Sequence, residues 1–358
     1  MTSPQAVPLA ACFGCAGLIL STEERDFFRA ANPLGFILFA RNVDTPDQVR
    51  ALVSDLRDCV GRDSAPVLID QEGGRVQRLK EPHWRSTPAP AMFVALHNQN
   101  PESGREATRL NARLIADDLY ALGIDVNCLP VLDIPAPGSH PFLHDRAAGL
   151  TVEQSIVLGR MDCDGLLAGG VLPVIKHIPG HGRGTVDSHE GMPHVDATRA
   201  EMSALDFAPF RALADCPWAM TAHVVYSDID ADQPATLSPT VIHDIIRTEI
   251  GFNGFLVSDD VSMGALSGPL GIALGERSDA SIKAGCDAVL HCNGELAEMR
   301  EVTDHVGALS DVAAIGFEKT LSHKRAPEPL DRREAEARLE TLLRPVSESA
   351  SESVSESI

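Results

Sequence analysis

Three short segments of this 358-residue chain gather side chains that can do chemistry. The first, Asp70-Gln-Glu-Gly-Gly-Arg-Val-Gln-Arg78, sets a carboxylate and a guanidinium at the two ends of a turn that Gly73 and Gly74 let the backbone make sharply. Asp and Arg are seldom put at a strand's end for packing alone, so Asp70 and Arg78 are candidates for holding a ligand; the bland alternative is a structural ion pair. The second, Lys176 to His189 (KHIPGHGRGTVDSH), is rich in glycine and carries three histidines. In extended chain, residues i and i+2 point the same way, so Asp187 and His189 can sit side by side. A carboxylate beside an imidazole fixes its tautomer and raises its basicity, which suits proton transfer; the alternative is a solvated histidine in a loop. The third is Ser258-Asp259-Asp260, at the end of a short apolar run. Neighbours on a strand point oppositely, so at most one of these carboxylates is expected to face a site. With no metal to bind, such a carboxylate suits attack on an electrophilic carbon, as in retaining glycoside hydrolysis; the alternative is a helix cap.

No metal or other cofactor is expected. His177 and His181 have the i, i+4 spacing of a helical ligand pair, but Pro179, Gly180 and Gly182 break any helix there. Cys12 and Cys15 are the one close pair among eight cysteines, and no second such pair completes a zinc site, so they read as buried thiols. Others, such as Cys128 and Cys163, lie in apolar surroundings, the usage of a reducing compartment. The apolar stretch Ala6 to Leu20 is interrupted by Pro8 and two glycines and precedes the first basic residue, Arg25, which does not suit a secretory signal. These features point to the cytoplasm. A net charge of −21 discourages a nucleic-acid partner, and no run approaches the roughly 18 apolar residues of a membrane span. Oligomeric state is not legible.

The segments need elements to position them. Short apolar runs alternate with amphipathic stretches, the pattern of βα units around a parallel sheet. Strands are expected at Gly14 to Leu20, Gly35 to Phe39, Pro66 to Ile69, Ile124 to Pro130, Val171 to Ile175, Trp218 to Ala222, Gly254 to Val257 and Ala288 to His291. Helices fit Thr45 to Cys59, Glu106 to Leu122, Val152 to Leu167, Arg199 to Leu213, Pro239 to Ile250 and Ile272 to Ala284. Eight strands predict a single-domain (β/α)8 TIM barrel over residues 1–346. An open doubly wound sheet is the rival, but no GxGxxG follows a strand. In a barrel, catalytic groups sit at the C-terminal ends of strands, where all three segments fall. Residues 347–358 are almost entirely Ser and Glu and cannot bury enough apolar surface to order themselves, so a disordered tail is expected.

Together, DQEGGRVQRL (Asp70 to Leu79), KHIPGHGRGTVDSH (Lys176 to His189) and VSDDVSM (Val257 to Met263) resemble glycoside hydrolase family 3, in its single-domain β-N-acetylglucosaminidase branch. Pro130 to Asp133, His144 to Arg146 and Met220 to Val224 add to the likeness, which spans roughly Gly14 to Cys292. The resemblance implies Asp259 as nucleophile and His189 as acid/base with Asp187 as its partner. It also implies sugar binding by Asp70, Arg78, Arg146, Lys176 and His177. The loop departs from the family pattern at Arg183, where an Asp is common. The expected reaction is hydrolysis of terminal β-linked N-acetylglucosamine with retention, on N-acetylglucosamine-containing saccharides or muropeptides of peptidoglycan recycling. A phosphorylase using the same residues with phosphate as acceptor, and a non-catalytic sugar-binding barrel, are the alternatives.

Overall fold

The computed structural model of the chain describes residues 6–188, 191–267 and 272–355. Eight parallel strands close into a barrel: β1 (Leu9–Phe13), β2 (Pro33–Leu38), β3 (Val67–Ile69), β4 (Val126–Asn127), β5 (Leu172–Ile178), β6 (Trp218–Thr221), β7 (Phe255–Asp260) and β8 (Ala288–His291). Each pairs with its neighbour in sequence, and β8 closes on β1 through Ala11 opposite Val289 and Phe13 opposite His291. The strands are short and buried along nearly their whole length, because a parallel sheet is covered on both faces. The (β/α)8 barrel expected from the alternation is therefore the fold.

The first strand lies earlier than expected. Gly14 to Leu20 is not strand, because its backbone groups are satisfied by side chains and not by a ladder. Arg41 Nε and Asn42 Nδ2 donate to the Cys15 carbonyl at 2.9 and 3.0 Å, and Asn42 reaches the Gly17 carbonyl at 2.9 Å. Gly14 itself is pressed so close to the chain after β8 that a Cβ there would lie 2.3 Å from the Cys292 carbonyl oxygen.

Helices α1 (Thr22–Ala31), α2 (Pro46–Val60), α3 (Pro90–Gln99), α4 (Pro101–Tyr120) and α5 (Val152–Ala168) cover one side of the barrel. Their starts are written in the sequence. Ser21 and Glu24 form a capping box on α1, while Thr45 caps α2 with Pro46 in its first turn and Gly61 in the left-handed region at its end. The single helix expected over Arg199 to Leu213 is two, α6 (Arg199–Ala204) and α7 (Phe207–Ala212), broken at Leu205 and Asp206 so that Phe207 and Phe210 turn into the core. Val241–Glu249 is a wider, π-type helix, followed by α8 (Leu274–Ala284), α9 (Leu296–His305), α10 (Asp311–Leu321) and α11 (Arg332–Ser355).

The last helix lays Ala335, Leu339, Leu342, Leu343 and Val346 against Phe93 and Leu96 of α3 and Ala107 and Leu114 of α4. Once that apolar stripe is seated, helical backbone runs on through Pro345 to Ser355, covering much of the segment whose composition argues against order. All eight cysteines are unpaired and buried, and burial pushes the Cys12 and Cys15 thiols up to about 12. Among the described residues, no helix is long and apolar enough to cross a membrane.

Candidate active site

A cavity of about 340 Å³ opens at the C-terminal ends of the strands and takes Asp70, Arg78, Arg146, Lys176, His177, Asp187 and Asp259 into its wall. The structure thus brings together every sequence-predicted site residue except His189, which lies outside the described residues.

The loop after β3 reaches the cavity by folding back on itself. Gln71 Oε1 accepts the Arg78 and Leu79 N–H groups at 2.8 and 3.0 Å, and the Gln71 N–H donates to Asn127 Oδ1 on β4. At the turn, Gly73 has a φ of 108°, and a Cβ there would meet the Pro88 carbonyl oxygen at 2.2 Å. The result returns Arg78 to Asp70, 3.0 Å apart.

Lys176, at the end of β5, is 2% exposed and lies 2.9 Å from Asp70 Oδ1 and 2.7 Å from Glu72 Oε1. Arg146 meets the same Glu72 with two parallel bonds of 2.8 Å, a bidentate pair. Burial alone would raise the Asp70 and Glu72 carboxyls, but Lys176 with Arg78 outweighs it at Asp70, and Arg146 with Lys176 does so at Glu72. Both are held low, Glu72 at about 2. Lys176 moves the other way: burial disfavours its charge, yet Asp70 and Glu72 hold it well above the ordinary lysine range. The floor of the cavity is thus a permanently ionised network whose polar atoms are aimed into a dry space, suited to gripping the hydroxyl groups of a neutral ligand.

His177 is turned by Asp133, which the sequence-based site did not include. Its Nδ1 lies 2.6 Å from Asp133 Oδ2, and the Asp133 carboxylate also takes the His181 N–H at 2.6 Å. Burial opposes Asp133's charge, but His177 and His181 offset it and the carboxyl sits below its usual range. Nδ1 then carries the proton and Nε2 presents its lone pair. The Lys176–His177 peptide is cis, as is Ile178–Pro179.

At the end of β7, both Asp259 and Asp260 line the cavity, correcting the expectation that strand alternation admits only one. The reason is an irregularity in the pairing of β7 with β8 between Val257 and Asp260. The two carboxylates have different work. Asp260 accepts the Ser262 N–H and the Cys292 N–H at 2.9 and 3.2 Å, so it caps the following turn. Asp259 accepts the Asp260 N–H at 2.8 Å. Burial opposes its ionisation, but His223, His177, that N–H and Lys176 prevail and keep the carboxyl below its usual range. His223, also absent from the sequence-based site, donates from Nε2 to the Asp260 carbonyl at 3.0 Å and is kept neutral by burial.

Asp187 reaches the cavity on the loop after β5, but not in extended chain. Its carbonyl accepts the Gly191 N–H at 3.0 Å, a return bond that a straight strand does not make. The next residue, Ser188, is buried, and its carbonyl accepts the Ala265 N–H just beyond β7 at 3.0 Å. Glu72, Asp133 and His223 were readable in principle. Glu72 is two residues from Asp70, Asp133 closes PVLD, and His223 ends MTAH, all at strand ends.

Fold and site define a single-domain (β/α)8-barrel enzyme with ionised carboxylates at the mouth of the barrel. Residues 19–321 match the Glycosyl hydrolase family 3 N terminal domain, and the chain belongs to that family. A β-hexosaminidase of Alkalilimnicola ehrlichii is 39% identical over 284 residues, covering 78% of this chain and 79% of that one. A Methylococcus capsulatus β-hexosaminidase is 37% identical over 285 residues, covering 78% and 82%. The solved structure of NagZ from Neisseria gonorrhoeae in complex with N-trifluoroacetyl-D-glucosamine superposes with a TM-score of 0.84 at 28% identity, over 95% of this chain and 100% of that one.

Proposed function

We propose that this protein is a retaining β-N-acetylhexosaminidase that removes terminal β-linked N-acetylglucosamine through a covalent intermediate on Asp259, with His189 as acid/base and Asp187 as its partner. The observation that carries the reading is the Asp259 carboxylate, buried in the cavity wall and kept ionised beside His223, His177 and Lys176. An ionised carboxylate with few competing bonds is a nucleophile poised for an anomeric carbon. The likeness to β-hexosaminidases and to the NagZ complex supports N-acetylglucosamine as the sugar.

In the first half-reaction, Asp259 Oδ bonds to the anomeric carbon as the glycosidic C–O bond breaks, and the leaving oxygen takes a proton from the His189 imidazolium. In the second, neutral His189 takes a proton from water as its oxygen attacks the same carbon and frees Asp259. A histidine, with an ordinary pKa of about 6.5, can serve in both directions near neutrality. Asp70, Arg78, Lys176, Arg146 and His177 grip the sugar's polar groups and hold the ring for in-line attack. Muropeptides released from peptidoglycan are the proposed natural substrates, and the eight buried, unpaired thiols support a cytoplasmic setting.

The test is turnover of a panel of nitrophenyl β-glycosides, with and without phosphate, by the wild type and by Asp259→Asn. N-acetylglucosaminide cleavage to free sugar, lost by about 10⁴-fold or more in Asp259→Asn while sugar binding persists, is the expected result. Accumulation of sugar 1-phosphate would make the protein a phosphorylase, and full activity of the variant would sink the nucleophile assignment.

A further inference from the structure

The loop after β5 must hold its catalytic end against the cavity, yet its first turn, Pro179 to Gly184, has almost no side chains with which to do so. Gly182 is pressed against β4's continuation so closely that a Cβ there would lie 1.9 Å from the Ile134 carbonyl oxygen. On the inner side, the turn is fixed through its backbone. The His181 N–H donates to Asp133 at 2.6 Å, Gly182 and Gly184 carbonyls accept from Ala136 and His140 at 2.9 Å, and the Gly180 carbonyl accepts from the Tyr226 hydroxyl at 2.8 Å. On the outer side there is one side-chain tie: Arg183 Nε donates to Asp206 Oδ2 at 2.8 Å. Among the described residues, Arg183 is the one side chain of the turn that makes a hydrogen bond.

Asp206 sits at the break between α6 and α7, 3% exposed, and its Cβ would be 2.9 Å from a Cβ on Gly180. Its second oxygen, Oδ1, is buried without a partner among the described residues. The break that produces Asp206 therefore places a buried carboxylate behind the turn, and Arg183 supplies the charge that carboxylate needs. Four residues beyond Arg183 the chain delivers Asp187 to the cavity.

We infer that Arg183 and Asp206 are positioning residues: their ion pair fixes the outer side of the turn and so sets where the Asp187 and His189 end of the loop meets the leaving-group oxygen. The inference rests on the reading of His189 as acid/base. Neither residue touches the reacting atoms. A misplaced proton donor is felt only where the leaving group needs its proton, whereas a general loss of packing is felt by every substrate alike.

That difference is the test. Arg183→Met, Asp206→Asn, Arg183→Lys and His189→Ala are compared with wild type for kcat and KM on aryl β-N-acetylglucosaminides running from dinitrophenyl to unactivated phenyl leaving groups, with melting temperatures alongside. Arg183→Met and Asp206→Asn should lose about 100-fold in kcat with the poorest leaving group and little with the best, following the slope of His189→Ala, while Arg183→Lys recovers most of the loss. Activity on the dinitrophenyl substrate shows in the same experiment that each variant is folded. A uniform loss across leaving groups, or none, in Arg183→Met and Asp206→Asn beside a steep His189→Ala series would overturn the inference alone. A flat His189→Ala series would overturn the acid/base reading and the inference with it.

Discussion

The Lys176 ammonium lies 2.7 Å from the Glu72 carboxylate, and neither side chain is more than 2% exposed. Removing one member of such a pair leaves the other's charge buried and uncompensated. Glu72→Gln, which strands Arg146 as well, should cost about 3 kcal/mol of stability, read by urea unfolding, and should raise KM for any substrate the site binds. An unchanged unfolding midpoint would show that the network is dispensable to the fold.

The Asp133–His177 bond makes a separate prediction. If that carboxylate fixes the imidazole with its proton on Nδ1, then Asp133→Asn should lower kcat/KM by about 100-fold, because a site group is turned or protonated wrongly. Nitrogen NMR of the His177 ring reads the cause directly. The same tautomer in variant and wild type would remove Asp133 from this role.

Acid stability has a worked sign. Glu72 has its pKa drawn from 4.5 to about 2, so its contribution is full above 4.5 and is lost as pH falls through about 2. Asp70, Asp133 and Asp259 are displaced in the same direction. Asp162 runs opposite. Packed among Phe93, Leu129 and Leu158, it is lifted by burial well above its ordinary 3.8, so stability is lost as pH rises from 3.8 towards the raised value. Asp162→Asn should therefore raise Tm more at pH 8 than at pH 4. Equal gains at both would contradict the burial argument.

The C-terminal helix divides at Val346. Its Leu342, Leu343 and Val346 side chains are buried against α3 and α4, while Ser347 and Glu348 are exposed. Removal of residues 347–358 should leave kcat and Tm close to wild type, within the roughly 0.5 kcal/mol of surface changes, whereas Leu343→Ala should cost about 2 kcal/mol. Abolished turnover in the truncated protein would give the Ser/Glu segment a role that its composition does not suggest.

The sequence by itself determined the barrel and seven of the nine or so places where chemistry gathers. Period, run length and caps are local properties, and Asp70, Lys176 and Asp259 announce themselves by standing at the ends of apolar runs. Even where a boundary slipped, as at β1, the element was there. What only the tertiary structure decided is which charges meet. Glu72 is 74 residues from Arg146, and Asp133 is 44 from His177, so no window of sequence contains either pair. The β7 irregularity that brings Asp259 and Asp260 to one cavity is likewise a property of the pairing between strands. The α6–α7 break that sets Asp206 behind the catalytic loop interrupts a stretch whose apolar spacing reads as one helix. Local propensity writes the elements, whereas a buried charge is satisfied only by whatever the closed barrel carries to it.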